Sequence, residues 1–504
     1  MRLEEPNAPS GRAWPQATGL ASGLLTPSVR LGVTGLARAG KTVFITSLVR
    51  NLTAGGRLPF FPAMAQGRIL RVDLDPQPDD DVPRFTYEEH LARLAAETPS
   101  WPESTRAIAQ LRLAITYRPT SLFRRTLGST IGAGIDTARL NLDIVDYPGE
   151  WLVDLGLIDL DYKAWSKLAL NDAEAAHRKT YAHEFAQFIA SLPQDAENDE
   201  AIAIKGADVF KRYLGAARAA EPALATLTPG RFLMPGELDG TPLLTFFPLP
   251  ADAMGTARKS LAGMLERRYE SYKRHVVEPF FKNHFARLDR QIVLVDALAA
   301  LNAGPAGIAD LANGLEAVLK PFRAGNPSWF ARWFSRRVDR VLVAATKADH
   351  LLETGHDKLE ALLGAIVAKP MSRATDLGAD ARVMAIAALR ATREITVRDK
   401  GEDIPCLRGT PLAGQHVGTR TFDGKKEAAL FPGDLPKDLA GLVTASRNAE
   451  PDVRKRFGLE DDDVRVLRFA PPRVTIETAA GTEPPFPHIR MDRAIDYLIG
   501  DRLQ

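Results

Sequence analysis

The chain has one cysteine, Cys406, so it can form no intramolecular disulfide and no cysteine-rich zinc ribbon. Its nine histidines include no H-x-x-x-H or H-E-x-x-H spacing, which excludes the common helical zinc sites. No G-x-S-x-G string is present to suggest a nucleophile elbow. No apolar run approaches the roughly 18 residues of a membrane span. The opening MRLEEPNAPSGRAWPQ puts acids and prolines where a secretory leader needs a basic and then an apolar stretch. Neither sign of charge dominates, with 65 basic against 63 acidic residues, which argues against a nucleic-acid partner. Together these absences predict a reducing, cytoplasmic address.

What is present is an ordinary globular balance, 45% apolar and 25% charged over 504 residues, enough for about three structural units. Residues 1–27 lack periodicity and read as a poorly ordered lead-in. A short apolar run, Arg30-Leu31-Gly32-Val33-Thr34, then meets a glycine loop, and residues 42–52 (TVFITSLVRNL) carry helical spacing. Further strands are expected at 111–117, 140–145, 291–295 and 340–345, with a weaker one at 382–387. Short apolar strands separated by helical stretches predict an α/β fold with a parallel sheet and helices on both faces. The long segment before 291 is mostly helical and too long for one crossover, so it reads as an insertion. Its last part, 257–288, predicts a long amphipathic helix bent near Pro279. Beyond residue 400, glycines punctuate short segments, predicting a strand-and-turn annex, and 489–503 predicts a closing helix that docks on the core.

Four strings carry chemistry. Gly35-Leu36-Ala37-Arg38-Ala39-Gly40-Lys41-Thr42 satisfies G-x-x-x-x-G-K-[ST] between an apolar run and a helix. Glycines at 35 and 40 let backbone N–H groups of Ala37, Arg38, Ala39, Gly40 and Val43 converge on phosphate at a helix start. Lys41 adds a mobile cation and Thr42 a hydroxyl for Mg²⁺. Asp146-Tyr147-Pro148-Gly149 ends a strand, suiting Asp146 to the water shell of Mg²⁺ and Gly149 to a γ-phosphate. Thr346-Lys347-Ala348-Asp349 ends another. The Asp349 carboxylate can accept the guanine N1 and amino hydrogens, a donor pair that adenine lacks, and the Lys347 stem can lie over the ring. Ala387-Ala388-Leu389 follows the next strand and can offer Ala388 or Leu389 N–H to a base oxygen.

In this order the strings resemble the G1, G3, G4 and G5 elements of the P-loop GTPase superfamily. Trp101-Pro102, the flanks Glu150-Trp151 and the closing His488-Ile489-Arg490-Met491-Asp492-Arg493 extend the resemblance, over nearly the whole chain, to the YcjX-like family of bacterial GTPases. The resemblance implies a Ras-like P-loop NTPase core with a large helical insertion after G3 and a C-terminal part. It also implies GTP/GDP binding with Mg²⁺, slow hydrolysis, an unidentified protein effector and a link to stress responses. The expected layout is a first core part at 28–150, an insertion at 151–288, a second core part at 289–399 and the annex at 400–504.

Three positions depart from the pattern or leave it open. Glu150 stands where many GTPases place a water-orienting Gln; it either positions water as a carboxylate, leaves intrinsic turnover slow until something rearranges, or is structural. Thr105 is the choice for the switch I threonine that would complete the Mg²⁺ shell, with Thr98 and Ser104 as competitors. Arg38 and Arg106 can reach phosphate oxygens or simply be solvated. The catalytic set is thus Lys41, Thr42, Thr105 and Glu150. The aromatic and basic stretch 329–337 (WFARWFSRR) reads either as a peripheral membrane or partner contact or as a packed lid. Two rival readings are a non-hydrolysing guanine-nucleotide scaffold and an ATP-using P-loop enzyme.

Overall fold

The computed structural model describes residues 26–36, 38–56, 58–103, 107–120, 137–193, 196–220, 227–253, 260–319, 338–376, 378–399, 401–459, 466–476 and 484–504. The expectations for Ala37, Ser104, Thr105, Arg106 and 329–337 fall outside these residues, as does nearly all of the 1–27 lead-in.

Seven strands form the central sheet: β1 (Ser28–Gly35), β2 (Ile69–Asp75), β3 (Ala109–Tyr117), β4 (Ala138–Asp146), β5 (Arg290–Val295), β6 (Arg340–Ala345) and β7 (Asp380–Ala385). Their order is β2-β3-β4-β1-β5-β6-β7. From β4 to β7 every pairing is parallel. β3 runs antiparallel to β4 and β2 antiparallel to β3, so the all-parallel expectation fails at that edge. β2 escaped the sequence reading because it is an edge strand, RVDLD alternating acids with apolar residues, with no buried position along its length.

The interior strands bury both faces, and successive residues feed two different cores. Ile292 and Leu294 of β5, with Leu342 and Ala344 of β6, face one core. Val293, Val295, Val341, Val343 and Ala345 face the other. Over the first face lie helix α1 (Lys41–Thr53) and a C-terminal helix, Met491–Ile499. That helix starts two residues later than expected, and a 3₁₀ turn, Gly500–Leu503, follows it.

The segment between β4 and β5 is helical throughout its described elements and packs on the second face. α2 (Gly149–Val153) leads into it, followed by α3 (Tyr162–Glu174), α4 (Lys179–Ala190), α5 (Glu200–Ala219) and α6 (Leu261–Tyr272). Three of these begin on side-chain caps: Asp161 accepts from Ala164 N, Asp199 from Ala201 N and Ser260 from Gly263 N. After α6 the chain takes one wide π-type turn, Lys273–Val277, before continuing helically as Glu278–Asn283. Pro279 accounts for the distortion, since it has no N–H to donate and its ring crowds the preceding turn.

On this same face pack α7 (Pro305–Leu319), α8 (Glu353–Asp376) and α9 (Leu439–Arg447). The annex sheet pairs Arg393–Asp399 with Glu402–Gly409 and the latter with Ala428–Leu430, all antiparallel. It therefore begins before residue 400, where the glycine texture starts. Among the described residues no helix is long and apolar enough to cross a membrane.

Candidate functional site

The C-terminal ends of β1, β6 and β7 open onto one cavity of about 280 Å³. That is where an open α/β sheet leaves room for a ligand. From the loop after β1 its lining takes Arg38, Ala39, Gly40, Lys41, Thr42 and Val43; from the loops after β6 and β7 it takes Lys347, Asp349, Ala388 and Leu389. Ten residues expected from separate strings thus share one wall.

The phosphate-loop end is shaped by backbone. Arg38 (φ 62°) and Gly40 (φ 82°) are both left-handed, and Ala39 N bonds Leu36 O at 3.1 Å to close the turn. Only glycine adopts the torsion at 40 at little cost. No side chain caps α1 there, and a helix start preceded by left-handed Arg38 and Gly40 suits an anion such as a phosphate chain. The Thr42 hydroxyl donates to the Glu103 carbonyl at 3.2 Å, which brings the 101–103 segment against α1.

The other end is a set of fixed polar groups. Lys347 is left-handed (φ 62°), and its ammonium pairs with Asp296, the residue directly after β5. Asp349 is buried, and its carboxylate accepts Ala391 N–H at 2.7 Å while its carbonyl accepts the Thr392 hydroxyl. Ala387 N–H is bonded to Ile489 O and Arg390 N–H to Pro487 O. The two amides between them, Ala388 and Leu389, have no acceptor among the described residues. Burial lowers the His350 imidazole from its ordinary value, keeping it neutral where its ring meets Phe469 edge-on at 5.2 Å.

Gly35, Asp146 and Gly149 lie beside the cavity without lining it. Asp146, buried at the end of β4, pairs in register with Val33 of β1, and Tyr147 N bonds Val33 O. A side chain at Gly149 would collide with the Gly35 carbonyl, so glycine is required for the third string to reach the first. Glu150 points elsewhere: its carboxylate is 3.1 Å from Arg218 of α5 and nine-tenths buried. Next to it the Arg231 guanidinium covers the Trp151 ring at 3.2 Å. Asp154 accepts Gly230 N–H at 2.7 Å, Arg231 N–H at 3.3 Å and Tyr272 O–H at 2.5 Å. Burial raises this carboxyl to about 6, with the Tyr272 and backbone bonds opposing the rise.

Several wall residues were not anticipated. Leu412, Arg468 and Phe469 come from the annex, and Trp101 donates its indole N–H to Phe469 O at 2.8 Å. Nothing in PLAGQ or RVLRFAPP marks these annex residues as site-forming. Asp296 did carry a signal, a carboxylate ending the buried run QIVLV at the same sheet edge as Asp146 and Asp349.

A family model described as the YcjX-like family, DUF463, matches residues 29–503. The chain belongs to the YcjX-like family. Among relatives, the protein named "Ras-like GTPase YcjX" from Escherichia coli strain K12 is 35% identical over 486 residues, covering 94% of this chain and 96% of its own. The protein of the same name from Shewanella oneidensis is 34% identical over 494 residues, covering 94% and 95%. For this YcjX-like chain the match runs from β1 to the final turn, and so includes insertion and annex as well as sheet.

Proposed function

We propose that the chain binds guanine nucleotide with Mg²⁺, hydrolyses GTP to GDP and phosphate, and uses nucleotide state to move the 149–159 segment and the insertion attached to it. The observation that carries this is the convergence, on one cavity, of a backbone phosphate cradle with Asp349 and the bare Ala388 and Leu389 amides. Lys41 and the loop amides of 35–43 would hold the β and γ phosphates, and Asp349 with Lys347 the base. Thr42, Asp146 and Thr105 would hold Mg²⁺, which when bound neutralises phosphate charge. The relatives' printed name, Ras-like GTPase, supports the same class.

Hydrolysis requires water to attack the γ phosphorus as its bond to the β–γ bridging oxygen breaks. Glu150 is the proposed water-orienting group, and its pairing with Arg218 holds it from the cavity. Turnover is therefore slow until the insertion shifts. The same ion pair favours a second reading, a guanine-nucleotide scaffold without turnover. The proposed layout is a core of 28–150 and 289–392, an inserted domain of 151–288 and an annex that starts with the strand Arg393–Asp399 and runs to 504, in the cytoplasm. A protein effector of bacterial stress responses completes the proposal, and the stretch 329–337 serves either as a peripheral membrane or partner contact or as a packed lid.

The test is binding and single-turnover hydrolysis with Mg²⁺, comparing GTP with ATP in the wild type, Lys41→Ala, Glu150→Ala and Asp349→Asn. Guanine-selective binding with phosphate release lost in Lys41→Ala supports the GTPase. An Asp349→Asn variant with unchanged base preference favours an ATP-using enzyme instead, and binding without release favours the scaffold.

A further inference from the structure

The closing string His488-Ile489-Arg490-Met491-Asp492-Arg493 has no role in the proposed nucleotide chemistry, and the structure gives it a definite place. Residues 484–493 run as a strap from the back of α1 to the back of the loop after β7. At the α1 end, Asn51 is fully buried; it accepts Phe486 N–H at 2.6 Å and directs its amide nitrogen to Met491 Sδ at 3.8 Å. Neighbouring Arg50 donates to the Pro484 carbonyl at 3.1 Å.

At the other end the strap hydrogen-bonds the loop directly. Ile489 exchanges both backbone bonds with Ala387, at 3.0 and 2.8 Å, and Pro487 O accepts Arg390 N–H at 2.8 Å. These bonds fix the residues on either side of the two bare amides, Ala388 and Leu389. Arg490 acts on the same loop from below. Its guanidinium reaches Glu360 of α8 at 3.2 Å, and the same carboxylate oxygen accepts Ala385 N–H, the last amide of β7, at 3.1 Å. Asp357 holds the other side of the guanidinium at 2.6 Å.

Arg490 adopts φ 53°, a left-handed conformation that a non-glycine residue keeps only where its surroundings over-determine it. Here two carboxylates and the Ile489–Ala387 pair do so. The bonds are made where they restrain one loop, and a helix start alone would need none of them.

We infer that the strap is a positioning element for base recognition, with Arg490 and Ile489 holding the Ala388 and Leu389 amides at the cavity wall and Asn51 referring that position to the phosphate-binding helix. This rests on the guanine reading. Arg490 touches no ligand; it acts through Glu360 and Ala385.

The experiment measures the affinity of full-length wild type, Arg490→Ala, Arg490→Lys and Glu360→Gln for GDP, ADP and inorganic pyrophosphate. The expected result is a loss of about tenfold in GDP affinity for Arg490→Ala, roughly the value of one well-placed hydrogen bond to the base. Pyrophosphate affinity stays within about twofold, because the phosphate cradle is untouched. Glu360→Gln moves the same way by less, and Arg490→Lys retains most of the GDP affinity. A merely structural role lowers GDP and pyrophosphate affinity together, and that result, or an unchanged GDP affinity in both Arg490→Ala and Glu360→Gln, overturns the inference. If the wild type fails to prefer GDP over ADP, the guanine reading falls and takes this inference with it. A selective wild type with an equally selective Arg490→Ala removes the strap alone.

Discussion

Two loops leave adjacent parallel strands of the sheet and are built in opposite ways. The loop after β1 is shaped by left-handed backbone and faces an open cavity, with no side chain capping the helix it starts. The segment after β4 is buried and tied by side chains: Glu150 to Arg218, Trp151 under Arg231, and Asp154 to three donors. The first is suited to accept a ligand without moving, and the second to carry a displacement into the helices packed on it. Gly149 joins them, because its missing side chain lets the second loop rest against the Gly35 carbonyl.

The contrast breaks most visibly at Asp154. Asp154→Ala leaves the Tyr272 hydroxyl and two amides buried without an acceptor, and should lower unfolding free energy by about 4 kcal/mol in denaturant titrations while nucleotide contacts remain. Lys41→Ala should do the reverse, weakening nucleotide binding on the order of 100-fold, as read by a fluorescent nucleotide, with an unchanged melting temperature. Equal stability losses in the two variants would erase the distinction. The pH dependence sharpens it further. Because the Asp154 carboxyl is raised from 3.8 to about 6 in the fold, its contribution is fully present below about pH 4 and is lost as pH rises through 6. The wild-type minus Asp154→Asn stability difference should therefore fall by about 2 kcal/mol between pH 4 and 6.5. A smaller change is expected from Arg218→Ala, which releases Glu150: about 1 kcal/mol less stable, with single-turnover hydrolysis raised a few-fold. Slower hydrolysis in that variant would contradict the restraining role of the pair. The smallest effect belongs to Trp101→Phe, which removes only the bond to Phe469 O and should weaken nucleotide binding about threefold.

The sequence made the interior strands legible because burial on both faces writes itself as an apolar run, as in QIVLV and RVLVAA. It also showed the backbone-driven part of the site, since a glycine-dependent loop constrains residue type at fixed spacing. The edge strand β2 was invisible for the opposite reason: a half-exposed strand tolerates RVDLD. The annex wall was equally hidden. Arg468 and Phe469 reach the cavity only because Ala470 N bonds Thr410 O and Leu412 N bonds Arg468 O across segments far apart in the chain. Glu150 is adjacent to the third string along the chain, but its direction depends on α5 arriving at that point with Arg218. Spacing along a chain records local torsion well and long-range meetings poorly.

The Met491–Ile499 helix has a consequence for how the molecule is made. It supplies Met491, Ile495 and Leu498 to the core that lies over β1, β5 and β6. Arg290 at the start of β5, itself buried, reaches the Leu498 carbonyl and Asp501. Roughly 150 residues separate the end of β6 from this helix, about ten seconds or more of synthesis at ordinary elongation rates. Throughout that interval the part of this face that α1 does not cover stays open, so the nascent chain has a period of exposure in which chaperones or its own aggregation compete for the surface that this helix finally covers.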